Sequence, residues 1–265
     1  MILIAVLLGL TEGLTEFLPV SSTGHLILAG HAMGFTGRRA AVFEIAIQLG
    51  AILAVVWEYR RHLLQVAKGA LAPQRDAAAF GLVRNLALAF LPAAVAGLLV
   101  HHMIEEHLFH PLTVAGALVA GGVAMLAIEW SRPVPAIGSI MEIPWPRAVA
   151  VGLAQMLSLF PGVSRAAATI MGGMVTGLSR RAATEFSFYL AIPTMLAATT
   201  YDLWKARELL TMGDLGYLAI GFVVAFVSAL AAVKGFVRYV SGHDFKPFAW
   251  YRIALGIVVM VYFLR

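Results

Sequence analysis

Six stretches of this chain, roughly residues 42–59, 80–100, 112–130, 183–203, 214–234 and 247–264, are apolar over nearly the ~20 residues a helix needs to cross a bilayer. No other feature constrains the fold as strongly. In lipid every backbone N–H and C=O must be satisfied within the protein, which leaves helices or a closed barrel, and runs of this length select helices. The composition agrees, at 61% hydrophobic and 12% charged with a mean hydropathy of +0.87; ordinary soluble domains carry about twice that charged fraction. The expected fold class is an all-α polytopic membrane protein, with membrane lipids as its surroundings.

Two further apolar regions, 1–35 and 146–176, are interrupted in the middle, the first by Pro19 with Ser21, Ser22 and Thr23, the second by Pro161 and Gly162 with Ser164 and Arg165. Each half is too short to cross, because 17 helical residues reach only about 25 Å. The spacing predicts two re-entrant helix hairpins, and irregular backbone at membrane depth is tolerated only where it is buried in protein or lines a watery cavity. Each break is therefore a candidate site. Superposing Pro19 on Pro161 pairs Ser22 with Ser164 and brings Glu44 near Glu185. The 265 residues then read as one membrane domain made of two repeats: 1–130, with a re-entrant hairpin over 1–35 and three spans, and 146–265, with a hairpin over 146–176 and three more. Three spans is an odd number, so the second hairpin enters from the opposite face. An inverted repeat of this kind is expected to place its site where the two broken elements meet.

Orientation follows from Lys and Arg. With the loop at 60–76 in the cytoplasm, that side collects Arg60, Arg61, Lys68, Arg75, Arg132, Arg147, Arg180, Arg181, Lys234, Arg238 and Lys246, against Arg38, Arg39, Lys205, Arg207 and Arg265 on the other. Both termini and the first hairpin then lie on the outer side. The net charge of +5 sits in loops, a distribution unlike a nucleic-acid patch, and no nucleic-acid partner is expected. There are no cysteines, so thiolate chemistry and disulfides are excluded. The stretch from Met1 lacks a basic leader and a small-residue cleavage site, so the N-terminus is expected to be retained.

Glu12 and Glu16 are spaced i, i+4 in "TEGLTEF", which puts both carboxylates on one helix face. At the bilayer centre an uncompensated acid costs about 2.5–3.5 kcal/mol on insertion scales. The pair fits a divalent-cation site, general acid–base work or an interfacial position. After Pro19 a helix starts near Ser21 or Ser22, and its first N–H groups face the break as an anion site. Ser21, Ser22 and Thr23 are candidate ligands there or simple caps. His25, one turn beyond Ser22, is in reach of its hydroxyl or of an interhelical partner. In the second hairpin, Arg165 offers a planar fork suited to phosphate or to an acid such as Glu185 or Glu44. Ser164 can cap the helix that follows, and Thr169 lies on the Arg165 face. Arg84, Asn85 and Arg252 read as structural polar groups, and His101, His102, His107 and His110 lack metal-ligand spacing. Together the two breaks fit a phosphate or pyrophosphate group.

The stretches "EGLTEFLPVSSTGHLIL" and "FPGVSRAAATI", with "FEIAIQLGAILAVV" and "EFSFYLAIPTML", closely resemble the undecaprenyl-diphosphatase family, also called the bacitracin-resistance protein family. The resemblance runs through essentially the whole chain. It implies hydrolysis of undecaprenyl diphosphate, a polyprenyl diphosphate lipid, to the monophosphate and inorganic phosphate. It further implies recycling of the cell-wall lipid carrier at the bacterial cytoplasmic (inner) membrane, with the active site facing the periplasm or outside, and bacitracin resistance. By motif, Glu12 and Glu16 match the family's essential acids and tentative metal ligands, and Ser22 the proposed nucleophile. His25 matches the nearby histidine and Arg165 the phosphate-binding arginine. Ser21, Ser164 and Thr169 match substrate-supporting positions, and Thr23 is grouped with them here. A divalent cation, Mg²⁺ or Ca²⁺, is the implied cofactor. Ala166 and Ala167 stand where the motif commonly continues Ser-Gly, which removes a hydroxyl role at 166. A homodimer is left open. So is the choice between a phosphoserine on Ser22 and direct attack by water with Glu16 or His25 as base, and so is a rival function, transport of a polyprenyl phosphate through the same anion site.

Overall fold

In the computed structural model of the chain the described backbone covers residues 1–108, 110–131, 134–205 and 215–264, without the side chains of residues 38, 101, 102 and 105–107. Arg132, Arg207, Arg265 and the side chains of Arg38, His101, His102 and His107 thus lie outside the described residues. The described chain is helical apart from short 3-10 turns and one isolated bridge between Ile137 and Leu178. Its order is α1 (Ile2–Thr15), α2 (Ser22–Ala32), α3 (Arg38–Ala70), α4 (Ala77–His107), α5 (Pro111–Ser131), α6 (Trp145–Gln155), α7 (Arg165–Val175), α8 (Arg180–Lys205), α9 (Leu215–Val240) and α10 (Lys246–Leu264).

Five of these, α3, α4, α5, α9 and α10, are long and apolar enough to cross a membrane, as a multi-pass membrane protein requires. The expected sixth span, 183–203, is fully helical within α8 but is not among the five. The reason lies in its surroundings: Thr184, Phe186, Ser187, Phe188 and Tyr189 are buried inside the protein, and a helix shielded from lipid has no need of an apolar surface. The expected loop at 60–76 is corrected. Helix α3 runs on to Ala70, carrying Arg60, Arg61 and Lys68 on helical turns beyond its apolar part, and only 71–76 turn the chain. Asp76 accepts from the Ala79 N–H at 2.9 Å and starts α4. Likewise α4 continues through most of the expected loop at 101–110. All five tryptophans, at 57, 130, 145, 204 and 250, are exposed, and Trp57 marks the point on α3 just before Arg60, whose guanidinium lies 4.4 Å from its ring centre. Such aromatic–cation pairs belong at the membrane–water boundary.

Helices α1 and α2, and α6 and α7, are each 11 to 14 residues long, about half a crossing. Their packing partners correspond. Helix α1 lies on α9 as α6 lies on α4, α3 on α9 as α8 on α4, and α2 touches α10 as α7 touches α5; α3 packs on α8 and α5 on α10. The α5–α10 crossing is made by small residues. A Cβ on Gly256 would lie 2.7 Å from Val119 and 2.9 Å from the Ala115 carbonyl, and one on Gly122 would lie 2.7 Å from Ile253. Gly256→Val should lower the melting temperature in detergent, by an overpacking cost of about 1–3 kcal/mol. Gly116→Val, where nothing lies within 4 Å, should leave the melting temperature near the parent value; tryptophan fluorescence during heating checks both.

Candidate active site

Between α1 and α2, and between the 3-10 turn Met156–Leu159 and α7, the chain leaves helical geometry and then re-enters it through a serine. Ser21 and Ser164 have φ of 68° and 71°, and among the described residues they are the only non-glycines in the left-handed region. Strain of this kind costs about 1–3 kcal/mol per residue and survives only where the surroundings enforce it. The two serines thus share one conformation at the start of α2 and α7, whereas superposing the prolines pairs Ser164 with Ser22. Gly162, whose φ is 93° and whose Cβ would meet the Val114 carbonyl at 2.6 Å, adds one residue to the second break. Ser164 matches Ser21 rather than Ser22, and Ser22 matches Arg165, each the first residue of its helix.

The hydroxyls at the two caps differ in use. Ser164 Oγ accepts from the Ala167 N–H at 3.2 Å, an ordinary cap. Ser21 Oγ is buried and has no partner among the described residues. Ser22 Oγ instead donates to Glu16 Oε2 at 2.5 Å, across the break. The other oxygen of the same carboxylate, Oε1, accepts from Arg165 Nη2 at 3.3 Å, with both side chains under a tenth exposed. One carboxylate thus joins a hydroxyl beside the first break to a cation beside the second.

Arg165 is positioned from behind. Its Nη1 donates to the Ser187 carbonyl and Oγ, both at 3.3 Å, and its guanidinium sits 5.4 Å from the centre of the Phe17 ring, itself edge-on to Phe188. Thr169 donates to the Arg165 carbonyl at 2.8 Å and shares a 2.7 Å bond with Ser187 Oγ, so its hydroxyl props the groups that hold Arg165. Neither Glu185 nor Glu44 pairs with Arg165: Glu185 accepts from Arg181 at 2.9 Å, one turn away on α8. Glu12, 2% exposed, has Glu16, Glu44 and Arg165 as its charged neighbours. Thr23 is half-buried on the first turn of α2 and makes no side-chain hydrogen bond among the described residues.

Residues 5–258 match the family described as bacitracin resistance protein BacA. The chain belongs to that family. Over 257 residues it is 55% identical to the undecaprenyl-diphosphatase of Nitrosomonas eutropha, covering 97% of this chain and 93% of that protein. The undecaprenyl-diphosphatases of Aromatoleum aromaticum, 54% identical over 257 residues, and Methylococcus capsulatus, 53% over 256, are similar in the same way. In each, 97% of this chain and 93% of the relative are covered.

Within this BacA-family site His25 stands apart from Ser22. Its Nδ1 lies 2.7 Å from the Ser21 carbonyl and its Nε2 2.7 Å from the Tyr251 hydroxyl. A carbonyl only accepts, so Nδ1 carries the proton and Nε2 accepts from Tyr251. Both nitrogens are taken, and the group that meets the Ser22 proton is Glu16. For a divalent cation, no group of three or more His, Cys, Asp or Glu close enough to ligate one is present among the described residues. Glu12 and Glu16 still fit Mg²⁺ or Ca²⁺ as hard oxygen donors, because such ions take one or two carboxylates and fill the remaining positions with phosphate oxygens and water. Ser187, Tyr251 and Arg252 were not singled out by motif. Only Arg252 carried a signal, an arginine inside an apolar span. Tyr251→Phe removes the cap on Nε2, so His25 in that variant should be modified by diethyl pyrocarbonate faster than in the parent, read by peptide mass spectrometry. An unchanged rate would mean that Tyr251 does not cap the ring.

Proposed function

We propose that the chain is an undecaprenyl-diphosphatase, hydrolysing undecaprenyl diphosphate to undecaprenyl phosphate and inorganic phosphate. The observation that carries this reading is the Glu16 carboxylate, hydrogen-bonded at once to Ser22 and Arg165 from two separate breaks. A nucleophile, its base and an anion-binding cation in one buried place are what phosphoryl transfer needs.

In the mechanism, the diphosphate enters at the break, where the Arg165 fork and the free N–H groups at the starts of α2 and α7 bind its oxygens. Ser22 Oγ attacks the terminal phosphorus, and its proton passes to Glu16 within the hydrogen bond already formed. The bond to the bridging oxygen breaks and undecaprenyl phosphate leaves. Glu16, having passed the first proton to the departing undecaprenyl phosphate, takes a proton from the water that attacks the phosphoserine and returns it to Ser22 Oγ as phosphate departs. Direct attack by water with Glu16 as base uses the same residues. Glu12 with Glu16 would hold Mg²⁺ or Ca²⁺ beside the substrate, where the ion's charge offsets that of the diphosphate. Ser21, Thr23, Ser164 and Thr169 support the binding end.

The same reading assigns the finer architecture: six spans, with α8 as the sixth, and two re-entrant hairpins in an inverted repeat of 1–130 and 146–265. The matching helix partners and the paired strained serines support it. The Lys and Arg distribution supports a bacterial cytoplasmic membrane with the site open to the outer side, where the enzyme would return the lipid carrier for peptidoglycan synthesis and counter bacitracin. Broken helices in an inverted repeat also favour a second reading, carriage of a polyprenyl phosphate across the membrane.

Purified protein in detergent, where transport cannot occur, should release phosphate from a polyprenyl diphosphate with Mg²⁺ or Ca²⁺. Glu16→Gln, Ser22→Ala and Arg165→Ala should each lower turnover by about 10²-fold or more. No release from folded parent protein would favour the carrier, and near-full turnover in Ser22→Ala would leave the water route.

A further inference from the structure

Arg252, in the first half of α10, is the largest fully buried side chain among the described residues. It makes no salt bridge among the described residues. Its Nη2 donates to the carbonyls of Val163 at 2.9 Å, Gly162 at 3.1 Å and Ala117 at 3.4 Å, and its Nη1 to the carbonyl of Pro19 at 3.4 Å. Nη1 also lies 3.8 Å from Met125 Sδ. Seating is tight: a Cβ on Gly121 would fall 2.3 Å from Nη2, so a side chain at that turn of α5 would displace the guanidinium.

A buried cation at membrane depth without a carboxylate is costly; here both Nη groups donate to backbone oxygens, while Nε has no partner among the described residues. Three of the four belong to the hairpin breaks. Pro19 stands two residues before the strained Ser21, and Gly162 and Val163 stand directly before the strained Ser164. In a trans peptide the C=O and N–H point in opposite directions, so holding the Val163 carbonyl turns the Ser164 N–H away from the guanidinium and fixes the plane through which the chain enters α7. The same fork holds the first break.

We propose that Arg252 is a positioning residue that clamps the two hairpin breaks to one guanidinium and thereby sets the distance between the Ser22–Glu16 half of the site and the Arg165 half. Its kinetic consequence rests on the hydrolase reading above; the clamp itself does not. A lysine cannot substitute, because one ammonium lacks the planar fork that reaches carbonyls of two segments.

The chain has no cysteines, so a pair introduced at Leu14 and Phe160, both exposed and close to the two breaks, can carry spin labels without other reactive sites. Electron–electron dipolar spectroscopy on the folded protein should give a narrow distance distribution in the parent and a shifted or broadened one in Arg252→Met and Arg252→Lys. Gly256→Val, which disturbs the same α5–α10 crossing without touching the clamp, should keep the parent distribution. In turnover, Arg252→Met should lose about 10²-fold in kcat per folded molecule with a small change in KM, as misplacement by about 1 Å does. In a double-mutant cycle with Arg165→Lys the two losses should fall well short of multiplying. Should Arg252→Met fail to fold, Arg252→Gln is read in its place. An unchanged distance distribution overturns the clamp. A changed distribution with unchanged kcat, or fully multiplicative losses, overturns the positioning role. If the parent itself releases no phosphate the hydrolase reading falls, while the distance measurement still decides the clamp.

Discussion

A single carboxylate, shared by a serine six residues on and an arginine 149 residues distant, is the interaction on which this architecture depends. Each charge alone would be expensive at membrane depth, and removing one member of a buried pair leaves the other uncompensated at about 3–5 kcal/mol. Glu16 and Arg165 therefore need each other, and they meet where the chain leaves helical geometry, after α1 and before α7. The remaining helices serve that meeting. Helix α8 supplies Ser187, Phe188 and Met195 around Arg165, while α3, α9 and α4 hold the entering helices α1 and α6.

Strain and charge are handled by the same device at both breaks. Ser21 and Ser164 adopt a backbone conformation that L residues avoid, each at the residue just before α2 or α7 begins. Arg252 occupies the carbonyl ends of the adjoining peptides. Two arginines thus lie beside the breaks, Arg165 against the Glu16 carboxylate and Arg252 against backbone carbonyls.

Much of this was legible in the residues themselves. Apolar runs near 20 residues located the long helices, and the polar interruptions at Pro19 and Pro161 located both breaks. The i, i+4 spacing grouped Glu12 with Glu16, and the arginine after the Pro-Gly break is the one that reaches Glu16. What was illegible depended on contacts rather than on pattern. The end of α3 was misplaced because Arg60, Arg61 and Lys68 mark where the apolar part ends and say nothing about where the helix ends. The equivalence of Ser164 with Ser21 was hidden by one extra glycine. His25 was expected in reach of the Ser22 hydroxyl or of an interhelical partner, and spacing could not name that partner, Tyr251, which lies 226 residues away. Ser187 carries no sequence signal because its work is to hold another side chain, and Arg252 showed as an anomaly whose partners, all backbone carbonyls, no motif encodes.

The claim that both hairpins form one anion site is tested most directly by measuring which nuclei surround a bound diphosphate. With methylenediphosphonate, a non-hydrolysable diphosphate, bound to protein labelled with ¹⁵N in arginine and ¹³Cβ in serine, rotational-echo dipolar dephasing from ³¹P should reach both the Arg165 guanidinium and the Ser22 side chain. Arg165→Ala and Ser22→Ala would assign the two signals. Dephasing confined to nuclei of one hairpin, with the other at full intensity, would contradict a shared site.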